Sequence, residues 1–249
     1  ARSGMILIVL VDTIMVGHYG AVELGFLAIG MSLFQPLLVT SIGLIMGTLV
    51  LTAHFYGARN FKECGKIWRR SIAYALVLGV ICAIVSIYGE IFLTWSGQSP
   101  RLAAEGGKIM ALLGLGLPGH ILFITCSFFL EGIRRPVPGF LAIILANLIN
   151  FLLNWLFIYG NIDGLPVGAT GAAMATSITR WIVAAFMIVY IFFMRDRDKF
   201  GVRRPMRGNW CSWTDQRRLG YATGVSLGIE TASFSMIQQF AGWLGPIPL

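Results

Sequence analysis

The sequence predicts an all-α, polytopic transmembrane helical bundle, and three observations predict it. Apolar residues make up 57% of the 249 and charged residues only 12%, about half the charged share of a soluble domain. Runs of roughly 20 apolar residues, the length that crosses a bilayer at 1.5 Å per residue, recur along the whole chain. Basic residues gather between those runs, so the net charge of +8 reads as membrane topology and not as a nucleic-acid surface. Spans of this composition are helices, because hydrocarbon offers no partner to an unpaired backbone N–H or C=O.

The first span is the apolar run from Gly4 to Gly17, followed by the turn Gly17-His18-Tyr19-Gly20. The second runs from Leu24 to Phe55 and is expected to be interrupted at Pro36, which removes a backbone donor and kinks a helix. A basic loop with Lys62, Lys66, Arg69 and Arg70 leads to the third span, Ser71 to Trp95, whose last residue suits a membrane interface. The fourth, Glu105 to Leu130, carries Gly114, Gly116, Pro118 and Gly119, which permit bending or close packing. A fifth span, Gly139 to Tyr159, ends in the glycine-rich turn Gly160 to Gly168. The sixth, Ala169 to Met194, is followed by a loop from Arg195 to Arg218, and a seventh span begins near Leu219.

The loops after the even-numbered spans hold 15 of the 19 basic residues. The positive-inside rule places that side in the cytoplasm, and with it the N-terminus. Cys64, Cys82, Cys126 and Cys211 have no metal-ligand spacing and are expected to be free and structural, with no structural metal site. His18, His54 and His120 are read as interfacial or internally satisfied. No cleavable signal peptide is visible. The chain opens inside one hydrophobic run and stops soon after another begins, which is expected of a fragment.

Ionisable and amide side chains inside spans carry the functional signal. Asp12 stands among Ile, Leu and Val, where insertion scales charge roughly 2.5 to 3.5 kcal/mol for a mid-helix aspartate, so it is a functional-site hypothesis by default. Asn147, Asn150 and Asn154 recur at spacings of three and four along one helical face. They serve either as interhelical hydrogen-bonding glue or, with a carboxylate such as Asp12, as an oxygen-rich pocket for a hard cation or a proton. Glu230 lies deep in the seventh span. Arg180, equally deep in the sixth, is a candidate partner for either acid, or else a snorkelling or structural residue. Thr176, Ser177 and Thr179 commonly bond back to their own helix, and Thr176 is the one favoured for the site.

The chain resembles the multidrug and toxic compound extrusion (MATE) transporters, and among them the NorM-like branch. The resemblance is carried by Val11-Asp12-Thr13-Ile14-Met15-Val16-Gly17-His18, by Leu27-Ala28, by Gly47-Thr48 with Tyr56-Gly57-Ala58, by Asn150 and Asn154 with Tyr159-Gly160, and by Gly171 to Thr176, all in family order. It implies half of a twelve-span transporter of two six-helix lobes: residues 1–194 as the N-terminal lobe, 195–218 as the cytoplasmic inter-lobe linker and 219–249 as the start of the second lobe. It also implies a cation-coupling role for Asp12 with Asn150 and Asn154, and a place for Glu230 across the cleft. Archaeal-type relatives carry an aspartate where this chain has Asn154.

The function expected is a secondary antiporter in the bacterial inner membrane. It would export small organic cations in exchange for Na⁺ or H⁺ by alternating access, working as a full-length monomer among membrane lipids without an enzymatic cofactor. Asp12, Asn150, Asn154 and Thr176 would form the cation-coupling group and Glu230 would face the substrate cleft, with Asn147, Arg180, Pro36 and Pro118 in network or structural roles. Two alternatives share the class: a lipid or oligosaccharide flippase of the same superfamily, and a major-facilitator transporter, whose loop signature Gly57 to Arg70 loosely matches but without its aspartate. A channel would be told apart by the absence of counterflow. A membrane-embedded enzyme would need paired acids or a His–acid pair near an interface, which the isolated interior acids do not supply.

Overall fold

The computed structural model describes residues 2–159, 167–204 and 213–243, with side chains from residue 8 onward. Its helices are α1 (Arg2–Tyr19), α2 (Ala21–Leu44), α3 (Gly47–Gly57), α4 (Phe61–Ile87), α5 (Gly89–Trp95), α6 (Pro100–Leu115), α7 (Leu117–Gly132), α8 (Val137–Ile158), α9 (Gly168–Phe193), α10 (Arg197–Phe200) and α11 (Thr214–Gly242). No strand occurs among the described residues. Four helices are long and apolar enough to cross a membrane, α2 and α3 counting together, and five if the bent pair α6–α7 is one span. The shorter apolar stretch Ile8–Tyr19 belongs to α1.

Several boundaries depart from the sequence reading. The second span is helical straight through Pro36, and the expected interruption there is wrong. It breaks instead at Ile45 and Met46, between α2 and α3, where Gly43 and Gly47 press against α11. The lipid-like interior leaves a proline tolerable once neighbouring groups re-satisfy the freed carbonyl. The basic stretch Lys62–Arg70 is no loop but the first turns of α4, with no Gly-Pro punctuation to stop the helix starting after Asn60. The bend expected from Gly116 and Pro118 does occur: α6 and α7 meet at 43°, with Pro118 in the first turn of α7, where its missing N–H costs nothing.

The start of the 195–218 loop is docked. Phe200 of α10 lies against Tyr56, Phe61 and Phe129, Arg69 donates to the Gly201 carbonyl, and Arg135 pairs with Asp196. Residues 160–166 of the predicted glycine turn, 205–212 of the loop, Cys211 included, and 244–249 lie outside the described residues. Cys64, Cys82 and Cys126 are buried free thiols.

Two apolar cores meet on α2, α4 and α7. One gathers Trp68, Phe129, Leu130 and Met187, and the other Val16, Phe34, Leu113 and Leu117. Outward faces stay apolar: Val77, Ile81 and Ile84 on α4 and Leu148, Phe151, Leu152 and Trp155 on α8 are all exposed. A protein that turns such residues outward on successive helices is solvated by lipid.

Candidate functional site

Asp12 sits on α1 where the helix meets α8 and α9, and it is 2% exposed. Its two carboxylate oxygens are held separately. Asn154 Nδ2 donates to Oδ1 at 2.6 Å, and Thr176 Oγ1 donates to Oδ2 at 2.9 Å. Behind them Asn150 Nδ2 donates to Thr176 Oγ1 at 3.1 Å, and Asn154 Nδ2 is also shared with Asn150 Oδ1 at 3.2 Å. Asn150 and Asn154 are fully buried. Three helices therefore place four side chains in one closed network, which is how a buried carboxylate is made tolerable.

The geometry follows from helical spacing. Asn150 and Asn154 are one turn apart and stack on the inner face of α8. Gly171, Ala172, Ala173 and Ala175 are buried and small enough to let α9 approach closely, bringing Thr176 to Asp12. Asn147, one turn before Asn150, turns its Nδ2 to the Ile143 carbonyl of its own helix at 2.8 Å. One acceptor in the network is left over: Asn154 Oδ1 is buried with no hydrogen-bond partner.

Asp12 and Thr176 also line a cavity of about 410 Å³, with Met31, Phe34, Gln35 and Leu38 of α2, His120 and Phe123 of α7, and Thr179 and Arg180 of α9 among its walls. That volume is typical of a small-molecule pocket, and so is the mixture of apolar wall with few polar groups. The carboxylate thus faces two ways, toward the Asn154 and Thr176 donors and toward a largely apolar chamber.

The remaining candidates fall elsewhere. Thr179 bonds back to Ala175, as expected, but Ser177 crosses to the Leu112 carbonyl at 2.6 Å. Arg180 does not pair with Glu230: it donates to the Leu113 carbonyl at 3.3 Å and lies over the Phe34 ring at 5.1 Å. Glu230 is exposed on α11 and is not brought to the Asp12 network. Pro36 lines a shallow apolar groove against Gly228 and Ile229 of α11. His120 is not an interfacial or satisfied histidine, since it lines the cavity and its Nε2 is buried without a partner. Spacing alone could not reveal this, because His120 has no ligand at a sequence interval and meets the site only through the α6–α7 bend. Glu23 was also missed; its Oε2 accepts the Ala169 N–H at 3.0 Å, a carboxylate placed on the N-terminus of α9. Among the described residues no group of three metal-ligating acids, histidines or cysteines occurs.

A helical membrane bundle with a cavity whose wall carries a networked carboxylate is of the transporter class. Comparison gives the family: the MatE family profile matches residues 3–156, and the chain belongs to that family, whose members are transporters and not enzymes. It is 32% identical over 249 residues to a probable multidrug resistance protein NorM of Caulobacter vibrioides, covering 99% of this chain and 53% of that protein. It is 30% identical over 182 residues to the multidrug resistance protein MdtK of Pectobacterium atrosepticum, covering 72% and 40%. In fold it is similar to the crystal structure of the eukaryotic MATE transporter AtDTX14, with a TM-score of 0.86 at 21% identity over 98% of this chain and 54% of that one. The chain spans about half the length of the curated relatives it matches.

Proposed function

We propose that the protein carrying this chain exports amphipathic organic cations in exchange for Na⁺ or H⁺, and that Asp12 is where the two fluxes meet. One observation carries the reading: the same residue is anchored in the Asn150–Asn154–Thr176 network and lines a largely apolar cavity. A cation bound among the oxygens of that network neutralises the charge that an organic cation in the cavity needs. Each ligand then weakens the other by the same factor, as linkage requires. Alternation of the site between the two faces by rocking of two lobes completes the cycle. In this reading residues 1–194 form one lobe, 195–218 the cytoplasmic linker and 219–249 the start of the other, in the bacterial inner membrane with the N-terminus in the cytoplasm. Similarity to multidrug resistance proteins supports the substrate class.

The test is dye export. In cells expressing the full-length transporter, Asp12→Asn abolishes gradient-driven ethidium efflux while leaving the amount and melting temperature of the purified protein unchanged. Efflux equal to that of the unaltered protein would sink the reading. Proteoliposomes given only a sodium gradient or only a pH gradient decide between the two ions.

A further inference from the structure

We propose that the basic pocket between the start of α4 and the segment just after α10 binds the headgroup phosphate of an anionic phospholipid, whose acyl chains run down the lipid-facing side of α4. The pocket shares no residue with the Asp12 cavity.

Lys62, Lys66 and Arg69 of α4 and Arg204 line a pocket of about 230 Å³, together with Phe200 and Gly201. The one acid in the wall, Glu63, is paired with Lys66 at 3.2 Å. No carboxylate of the described residues stands within ion-pair distance of Lys62, Arg69 or Arg204, so four basic groups face one acid. Arg69 donates to the Gly201 carbonyl, while its Nε is buried without a partner. Like charges gathered this way repel one another and gain by sharing an anion, and phosphate oxygens are the acceptors that guanidinium and ammonium donors suit best.

Two close approaches build the pocket. Gly65 lets α10 lie directly on α4, for a Cβ there would run into the Phe200 carbonyl. Gly201 is left-handed, with φ 61°, and Arg204 folds back over it, its Cδ 3.1 Å from where a Cβ would stand. A side chain at either glycine would fill the space that the basic groups surround.

The helix beyond the pocket says what kind of phosphate it takes. Residues 62, 66 and 69 share one face of α4 with Leu76, Val80 and Ile84, and those three are exposed, as the outward side chains of a span are to lipid. On the other wall, Arg203 donates to the Phe192 carbonyl at 3.2 Å and lies 5.4 Å over the ring of exposed Phe193. The segment carrying Arg204 therefore also ends at a lipid-facing edge. A free phosphate ion would use the charges alone, whereas a phospholipid uses the charges and the apolar stripe together. The positive-inside rule puts this face in the cytoplasm, where anionic headgroups draw basic residues to the membrane surface.

Native mass spectrometry of the full-length transporter in detergent counts bound lipid directly. Dioleoyl phosphatidylglycerol should bind at least about tenfold more tightly than dioleoyl phosphatidylcholine, which has the same chains and phosphate but no net charge. Lys62→Gln combined with Arg204→Gln should weaken phosphatidylglycerol by roughly ten- to thirtyfold, the scale of two basic contacts at a lipid surface, and leave phosphatidylcholine unchanged. Arg134→Gln combined with Arg195→Gln removes two exposed charges outside the pocket and should alter neither lipid. Millimolar inorganic phosphate should not displace the bound phosphatidylglycerol. Equal binding of the two lipids by the unaltered protein, a result that needs no variant to fold, would overturn the site, and so would equal losses in the two double variants. Displacement by inorganic phosphate would give the pocket to a free anion and overturn the assignment to lipid.

Discussion

Asp12 has two hydrogen-bond donors, from Asn154 and Thr176, and they are not equivalent. Thr176 Oγ1 donates to the carboxylate and accepts from Asn150, so it relays one helix to another. Thr176→Val keeps the shape and removes the relay. It is expected to cost about 0.5 to 1.5 kcal/mol in stability, read by chemical or thermal unfolding in detergent, and to lower cation affinity. Thr176→Ser should behave as the parent does. Asn154→Leu should do more damage, because it removes the donor to Asp12 and the spare acceptor Oδ1 together; cation-driven release of bound ethidium should be lost with the fold retained. Most of this group was legible in the sequence. A lone acid in an apolar run and asparagines at helical spacing are costly in lipid and must meet something polar. Asn147 instead bonds back to its own helix, and the presence of His120 in the same cavity as Asp12 was invisible because it depends on how α7 packs after the α6–α7 bend.

Among the elements, α2 and α11 make the closest pairing. Gly43 of α2 and Gly47 at the start of α3 face Gly224 and Gln216 of α11, while Gly220 and Gly228 of α11 face Leu44 and Thr40 of α2; a Cβ on Gly43 would lie 2.5 Å from the Gly224 Cα, and one on Gly47 would run into the Gln216 carbonyl. Both ends of α11 are tied down as well. Gln216 donates to Ser71 at 2.6 Å, Gln98 donates to the Gln239 carbonyl at 2.8 Å, and Trp243 Nε1 donates to the Ser96 carbonyl at 2.9 Å. Glycines at four-residue spacing on α11, against Thr40, Gly43 and Leu44 of α2, are the means by which spans approach in lipid, where apolar burial alone drives nothing. Gly224→Leu should therefore part the helices and lower the melting temperature more than the same change at Gly57, whose missing Cβ meets only open space. A comparable loss at both positions would show that the contact does not hold the pair. The break at Ile45–Met46, and not at Pro36, belongs to this contact. Proline is a local signal, while the demand for a close crossing is set by α11, which begins only at Thr214, so the sequence read span by span could not place it.

At the scale of the whole molecule the basic residues divide the two faces. Lys62 and Arg101 are both exposed and are expected on opposite sides, Lys62 in the cytoplasm and Arg101 outside. Cysteine placed at each position and treated in intact cells with a membrane-impermeant maleimide should label at 101 and stay protected at 62; the reverse pattern would invert the topology. The docking of Phe200 among Tyr56, Phe61 and Phe129 fixes α10 against α3, α4 and α7. The central claim is that one carboxylate serves coupling ion and substrate in turn, and the affinity for ethidium, titrated with and without Na⁺ and at acid and alkaline pH in the full-length protein and in Asp12→Asn, tests it most directly. Either Na⁺ or protons should weaken ethidium binding to the parent, and this dependence should vanish in Asp12→Asn. A dependence that persists undiminished without the carboxylate would contradict it.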